Sequence, residues 1–234
     1  MDSDPKTRQV ISKQRVVDHG EVYTAEREVN AMLDLVRQET ERIDSRFLEP
    51  ACGTGNFLIE ILARKLRVVE SRYRRSQVEY ERYAVLAVSS IYGIDILEDN
   101  VALCRERLFA VFDRDYTRLF RPKDKEACRA AARYILSRNI IHGDALTLRQ
   151  VPPAEGGDPQ PIIFSEWSLV SGSLIKRRDF TFKELLSHAS MRELPLFSDL
   201  GEDVFIPTPE REFPPIHFLR VAEADDELRM TNDE

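Results

Sequence analysis

Phe47-Leu48-Glu49-Pro50-Ala51-Cys52-Gly53-Thr54-Gly55-Asn56-Phe57 is the stretch whose reading decides the fold. Arg46-Phe47-Leu48-Glu49 suits a short buried strand, and Pro50 to Gly55 is too turn-rich to continue one. From Asn56 to about Val69, Phe57, Leu58, Ile61, Leu62 and Leu66 recur at helical spacing. The order is strand, glycine turn, helix. Glycines at such a corner let the backbone approach a ligand, and the helix N-terminus behind them offers N–H groups without helical partners. By themselves, two glycines suit a plain strand–helix corner equally well.

Alternation continues on both sides. Ala25 to Ile43 carries Val29, Met32, Leu33 and Val36 at helical spacing, and Ser76 to Val88 reads as another helix. Ser90 to Ile96 is β-branched and short, a second strand. Helices follow from Glu98 to about Phe112 and from Lys125 to Leu136. Asn139 to His142 is a third strand, closed by Gly143-Asp144. Pro152 to Pro161 holds four prolines and two glycines and must be a loop, and Ile162-Ile163-Phe164 is a fourth strand candidate. Strands alternating with helices imply an α/β sheet, mostly parallel, with helices on both faces. Past Trp167 the pattern weakens to a helix over Phe180 to His188 and a proline-punctuated run from Phe205 to Phe218.

The strand ends carry the candidate chemistry. A carboxylate at Asp95 can accept hydrogen bonds from the two hydroxyls of a ribose, although an Asp there also serves as a helix cap. Asp144, at the end of the third strand, can accept from an adenine amino group. Ligands of open α/β sheets bind at such carboxyl ends. A nicotinamide-binding fingerprint is disfavoured, because Leu58 stands where its third glycine would be.

Composition agrees with one sizeable core: 234 residues, 42% hydrophobic and 32% charged. No stretch along the chain approaches the roughly 20 apolar residues of a membrane span, and Met1 to Lys6 has no apolar core of a leader, so the expected setting is the cytoplasm, away from membranes. Cys52, Cys104 and Cys128 form no C-x-x-C pair and read as free thiols in a reducing compartment. His19 and His142 have no second ligand at useful spacing, so no metal is expected. The net charge of -7 argues against a chain that grips nucleic acid all over its surface. Its distribution is uneven, with seven basic residues against three acids between Arg64 and Arg82. These, and the knot Lys176-Arg177-Arg178, suit either a solvated face or a phosphate-facing one. Glu223 to Glu234 reads as an acidic tail.

Taken together, the motifs resemble a family. Pro50-Ala51-Cys52-Gly53-Thr54-Gly55-Asn56-Phe57 resembles the first motif of adenine-specific DNA methyltransferases, in particular the modification subunits of restriction systems. Gly93-Ile94-Asp95-Ile96 with the helix behind it resembles the second, and Asn139 to Leu146 the third. His19 to Thr24 resembles the segment that in this family closes over the methionine part of S-adenosylmethionine (SAM). The resemblance covers roughly Val17 to Leu146. It implies a Rossmann-like methyltransferase fold, short of about three C-terminal strands and so either truncated or completed by a partner, and SAM as cofactor. Tyr23 and Thr24 would cover SAM. Glu49, Pro50, Ala51, Gly53, Gly55, Asn56 and Phe57 would form the methionine and ribose pocket, with Cys52 as a small wall residue. Asp95 and Ile96 would hold the ribose and the adenine face, and Asp144 and Ala145 would read the adenine edge. Expected divisions are an arm at 1–24, the SAM-binding domain at 25–170 and an extension at 171–234.

The family's fourth motif, a polar residue, two prolines and an aromatic, has no full counterpart here. Ile163-Phe164-Ser165-Glu166-Trp167 stands in its place, making Ser165 the candidate polar acceptor, Glu166 an alternative acceptor and Trp167 the stacking ring, with core packing as the other role for Trp167. No target-recognition region fits the 67 residues after Trp167, so DNA specificity would come from a partner subunit. Three readings stay open: a DNA adenine methyltransferase subunit of a restriction or phage-defence system, an inactive SAM-binding scaffold or sensor in such a complex, and a SAM-dependent enzyme acting on RNA or protein.

Overall fold

The computed structural model describes residues 24–152, 156–192 and 207–225. After helices α1 (Glu26–Asp34) and α2 (Arg37–Thr40) comes strand β1 (Phe47–Glu49), then α3 (Asn56–Tyr73), α4 (Gln77–Ser89) and β2 (Ile91–Asp95). Helices α5 (Glu98–Phe120) and α6 (Glu126–Asn139) lead to β3 (Ile140–Asp144) and the two-residue β4 (Arg149–Gln150). Strands β5 (Ile163–Leu169) and β6 (Leu174–Thr181), helix α7 (Phe182–Arg192), the short strands β7 (Arg211–Glu212) and β8 (Ile216–His217) and a 3-10 turn (Phe218–Glu223) complete the order.

The first sheet runs β1-β2-β3-β4. Its first three strands are parallel, in a register that sets Glu49 beside Gly93 and Asp95 beside His142; β4 joins β3 antiparallel. Strand order advances in one direction, so crossovers of one hand lay both helix pairs on the same face. There α3 to α6 pack together over Ile91 and Ile140, with Leu58, Leu62, Val85, Leu108 and Ile135 fully or almost fully buried. The opposite face, Tyr92, Ile94 and Ile141, is covered by Ile162, Phe164 and Phe182. The expectation of crossover helices on both faces is corrected accordingly: the second face carries a β-hairpin and the start of α7.

A second correction concerns the fourth strand. Ile163-Phe164 begins β5, which pairs antiparallel with β6 over its whole length instead of extending the parallel sheet. Only Val170 to Ser173 separate the two strands, and a parallel return needs a crossover of a dozen or more residues. Gly172 makes the turn at φ 54°. Residues 163–181 therefore form one unit across the boundary expected at residue 170. β7 and β8 pair with the far side of β6. Among the described residues no helix is long and apolar enough to cross a membrane.

Candidate functional site

A cavity of about 560 Å3 opens where β1, β2 and β3 end. Thr24, Glu49, Pro50, Ala51, Gly53, Asn56, Phe57, Asp95, Ile96, Asp144 and Ala145 line it, together with Cys52, Leu97, Asn100, Gly143 and Leu146. Of the residues expected to hold a cofactor, only Tyr23 and Gly55 are not among the lining: Tyr23, with His19, lies outside the described residues, and Gly55 stands just behind the wall.

Local chemistry explains the shape. Gly53 and Gly55 turn the chain with φ of 51° and 84°, a region costly for side-chain-bearing residues. At Gly55 a Cβ would also stand 2.6 Å from Cys104 Sγ. Gly55 begins α3 without a side-chain cap, and no acid occupies the first turn. The helix thus turns its positive end and free N–H groups toward the cavity.

Asp95 is largely buried and organises the turn. Its Oδ2 accepts from the Gly53 amide at 2.8 Å; its Oδ1 accepts from the Leu97 amide at 2.9 Å and from Asn100 Nδ2 at 3.2 Å. Three of its roughly four acceptor directions are engaged. Glu49 is the opposite case. Its Oε2 is buried with no hydrogen-bond partner, and burial, reinforced by the charge of Asp95, lifts its carboxyl to about 8. An unsatisfied buried carboxyl in a cavity wall fits a ligand that brings a cation or donor. The Leu146 amide donates to Asp144 Oδ1 at 2.8 Å and holds that carboxyl below the ordinary range. His142 Nε2–H donates to the Ile96 carbonyl at 3.0 Å, pinning the loop after β2. The Cys52 thiol is raised far above its usual range by contact with the Cys104 thiol and by burial, which makes it an inert wall.

Two groups escaped the sequence reading. Asn100 reaches Asp95 from the first turn of α5. Arg107, two turns further along, donates from Nη1 to the Thr54 carbonyl at 2.7 Å, Thr54 Oγ1 at 2.8 Å and Asn56 Oδ1 at 2.9 Å. Asn56 Nδ2 in turn donates to the Thr24 carbonyl at 3.2 Å, so one arginine ties the glycine turn to the chain entering the cavity.

Ser165, Glu166 and Trp167 are not brought to this cavity. Ser165 is 0% exposed, donating to Asp179 Oδ1 at 2.7 Å and accepting from Arg177 Nε at 3.0 Å. Trp167 packs edge-on against Tyr134, and its Nε1 donates to Asn139 Oδ1 at 3.2 Å. Glu166 pairs with Arg46 and Arg178. Ser165 and Trp167 are thus held by hydrogen bonds inside the second sheet, and Glu166 faces a separate pocket with Arg46, Phe47 and Leu48. A larger depression of about 610 Å3, near α1 and α3, has a predominantly charged wall in which Arg64 and Arg67 are paired with Asp34 and Glu60.

Carboxylates at neighbouring strand ends around a glycine turn are the arrangement in which open α/β sheets take small ligands. The family is a specific one. Residues 23–153, more than half of the chain, match the family described as MmeI, DNA-methyltransferase domain, and the chain belongs to it. This bears out the resemblance at the level of a DNA-methyltransferase family; the match ends before β5. No curated protein and no solved structure matches the chain.

Proposed function

We propose that the cavity binds SAM and that the chain is the cofactor-binding part of a DNA methyltransferase of a restriction-modification system, with a Rossmann-like fold. The observation that carries this reading is the meeting of Glu49, Gly53, Asp95 and Asp144 in one cavity at the strand ends. Bound SAM would supply a methyl group activated on a sulfonium sulfur. In that complex Asp95 holds the ribose, giving up or sharing one of its present donors. Asp144 and the Ala145 backbone meet the adenine edge, beside the half-exposed Ile96. Glu49 faces the methionine ammonium and takes up negative charge as the cation arrives. Asn56 and the start of α3 receive the carboxylate.

The acceptor is, on this reading, the exocyclic amino group of an adenine in DNA, and the groups that hold the flipped base come from outside the cavity's present lining, on a partner subunit of a restriction or phage-defence complex in the cytoplasm. One observation favours a second reading, a SAM-binding scaffold or sensor that does not methylate: Ser165 and Trp167 are committed to internal packing. Tritiated SAM with unmethylated bacterial DNA, followed by nucleoside analysis, separates the two. N6-methyladenine formed with the chain present, alone or with its co-purifying subunits, supports the enzyme. SAM binding without any labelled nucleoside supports the scaffold.

A further inference from the structure

Helices α3 and α5 both start at the cavity, where Asn56, Phe57, Leu97 and Asn100 line it, and both end at the opposite side of the molecule. The 18 residues of α3 put that side roughly 27 Å away. The two helix ends converge, since Arg118 of α5 is paired with Glu70 of α3 at 2.6 Å. The turns beyond them are joined, with Gln77 Nε2 donating to the Lys123 carbonyl at 2.7 Å. Tyr73 and Tyr83 stack at 4.1 Å and stiffen the α3–α4 corner.

This end is basic in a chain whose net charge is -7. The acids there are already matched: Glu70 by Arg118, Glu79 by Arg82, Asp115 by Arg114 and Asp124 by Arg129. Arg72, Arg74, Arg75, Arg121 and Lys123 are exposed and make no ion pair among the described residues. Helix dipoles account for Arg72 and Arg118, which stand in the last turns of their helices. The same effect favours Arg74 and Arg121 at the C-caps, whereas Arg75 and Lys123 lie beyond them, where it fades.

We propose that this rigid double corner is a docking surface for the phosphate backbone of nucleic acid, separate from the cavity. Exposed arginines that form no ion pair suit phosphodiester oxygens, and a cluster on two joined turns neutralises several phosphates at once. The surface carries no device for reading base edges, so binding there is independent of sequence. It would anchor DNA to the subunit while another element presents the target base. The inference is independent of whether the cavity binds SAM.

The test is fluorescence anisotropy of a labelled 30-base-pair duplex with the full chain across a salt series, comparing wild type with Arg72→Ser/Arg74→Ser/Arg75→Ser and with Arg121→Ser/Lys123→Ser. Each variant is expected to bind at least tenfold more weakly near 0.1 M salt. The slope of log affinity against log salt should shrink by about 2 to 3 for the triple variant. Melting temperature, measured in parallel, should fall only slightly, from lost charges at the two helix C-termini, and SAM titration should match wild type because the substituted side chains are exposed and far from the cavity. Duplex binding equal to wild type in both variants overturns the proposal, as does a wild type with no salt-dependent duplex binding. Equal affinity for a polyglutamate peptide of matched charge overturns the nucleic-acid assignment in favour of an acidic protein.

Discussion

Glu49 and Asp95 stand on neighbouring strands, Asp95 holding three donors while Glu49 Oε2 is buried without a partner. The Glu49 carboxyl, raised to about 8, keeps its proton in the folded protein where the unfolded chain has released it. Its contribution to stability is full below the ordinary Glu range near 4.5 and is lost as pH rises through about 8. The melting temperature of the ligand-free protein should therefore fall between about pH 5 and pH 8, and Glu49→Gln should flatten that fall. An unchanged pH slope in the variant contradicts the assignment. Asp95→Ala should weaken SAM binding by about 1–3 kcal/mol, the scale of hydrogen bonds to a charged group, as read by calorimetry. Wild-type affinity in that variant rules Asp95 out as the ribose ligand. Asp95 and Asp144 were legible because strand-end carboxylates follow a local pattern. Arg107 was not, since its partners Thr54 and Asn56 lie more than 50 residues away and no spacing encodes a side chain arriving from another helix.

Among the elements, the glycine turn is the most constrained. Gly55→Ala meets both a φ of 84° and the Cys104 thiol, and should destabilise the protein by about 1–3 kcal/mol in urea unfolding. Unchanged stability would mean that Cys104 yields freely and that the turn is less rigid than it stands here. Helix α5 was expected to stop near Phe112 but continues to Phe120, because Tyr116 and Phe120 stack with Phe112 and Tyr80 in an aromatic run that the aliphatic pattern did not flag. The helix expected over Ala25 to Ile43 is interrupted after Asp34, where Leu35 is 86% exposed. Strand β6 was hidden by its charges. Arg177 is 2% exposed, paired with Asp179 and Asp225 at 2.7 Å and lying 4.0 Å over the Phe213 ring. Lys176 and Arg178 pair with Glu212 and Glu166, so this basic knot is internal to the second sheet. Arg177→Ala removes the closest cation from the buried Asp179, leaving Arg138 at 3.7 Å and the Ser165 hydroxyl, and should cost about 3–5 kcal/mol. A loss below 1 kcal/mol would show that Asp179 is satisfied without Arg177.

At the scale of the whole molecule, the parallel strands and the cavity at their ends, but not the strand order, followed from alternating strands and helices with polar residues at the junctions. What covers the second face did not. Antiparallel β5 and β6 carry Ser165, Arg177 and Asp179 in their interior, and buried polar residues blur the alternation by which a strand is recognised. The proposed division of labour is that helices α3 and α5 connect a SAM-binding cavity at one end to a basic docking surface at the other, with the β5–β6 hairpin covering the second face of the sheet. The most direct measurement is a calorimetric titration of the purified chain with SAM and with its demethylated product. Saturable binding close to one molecule per chain, weakened in Asp95→Ala, is the predicted result. A folded chain that binds neither molecule, with its co-purifying subunits present, would contradict the account.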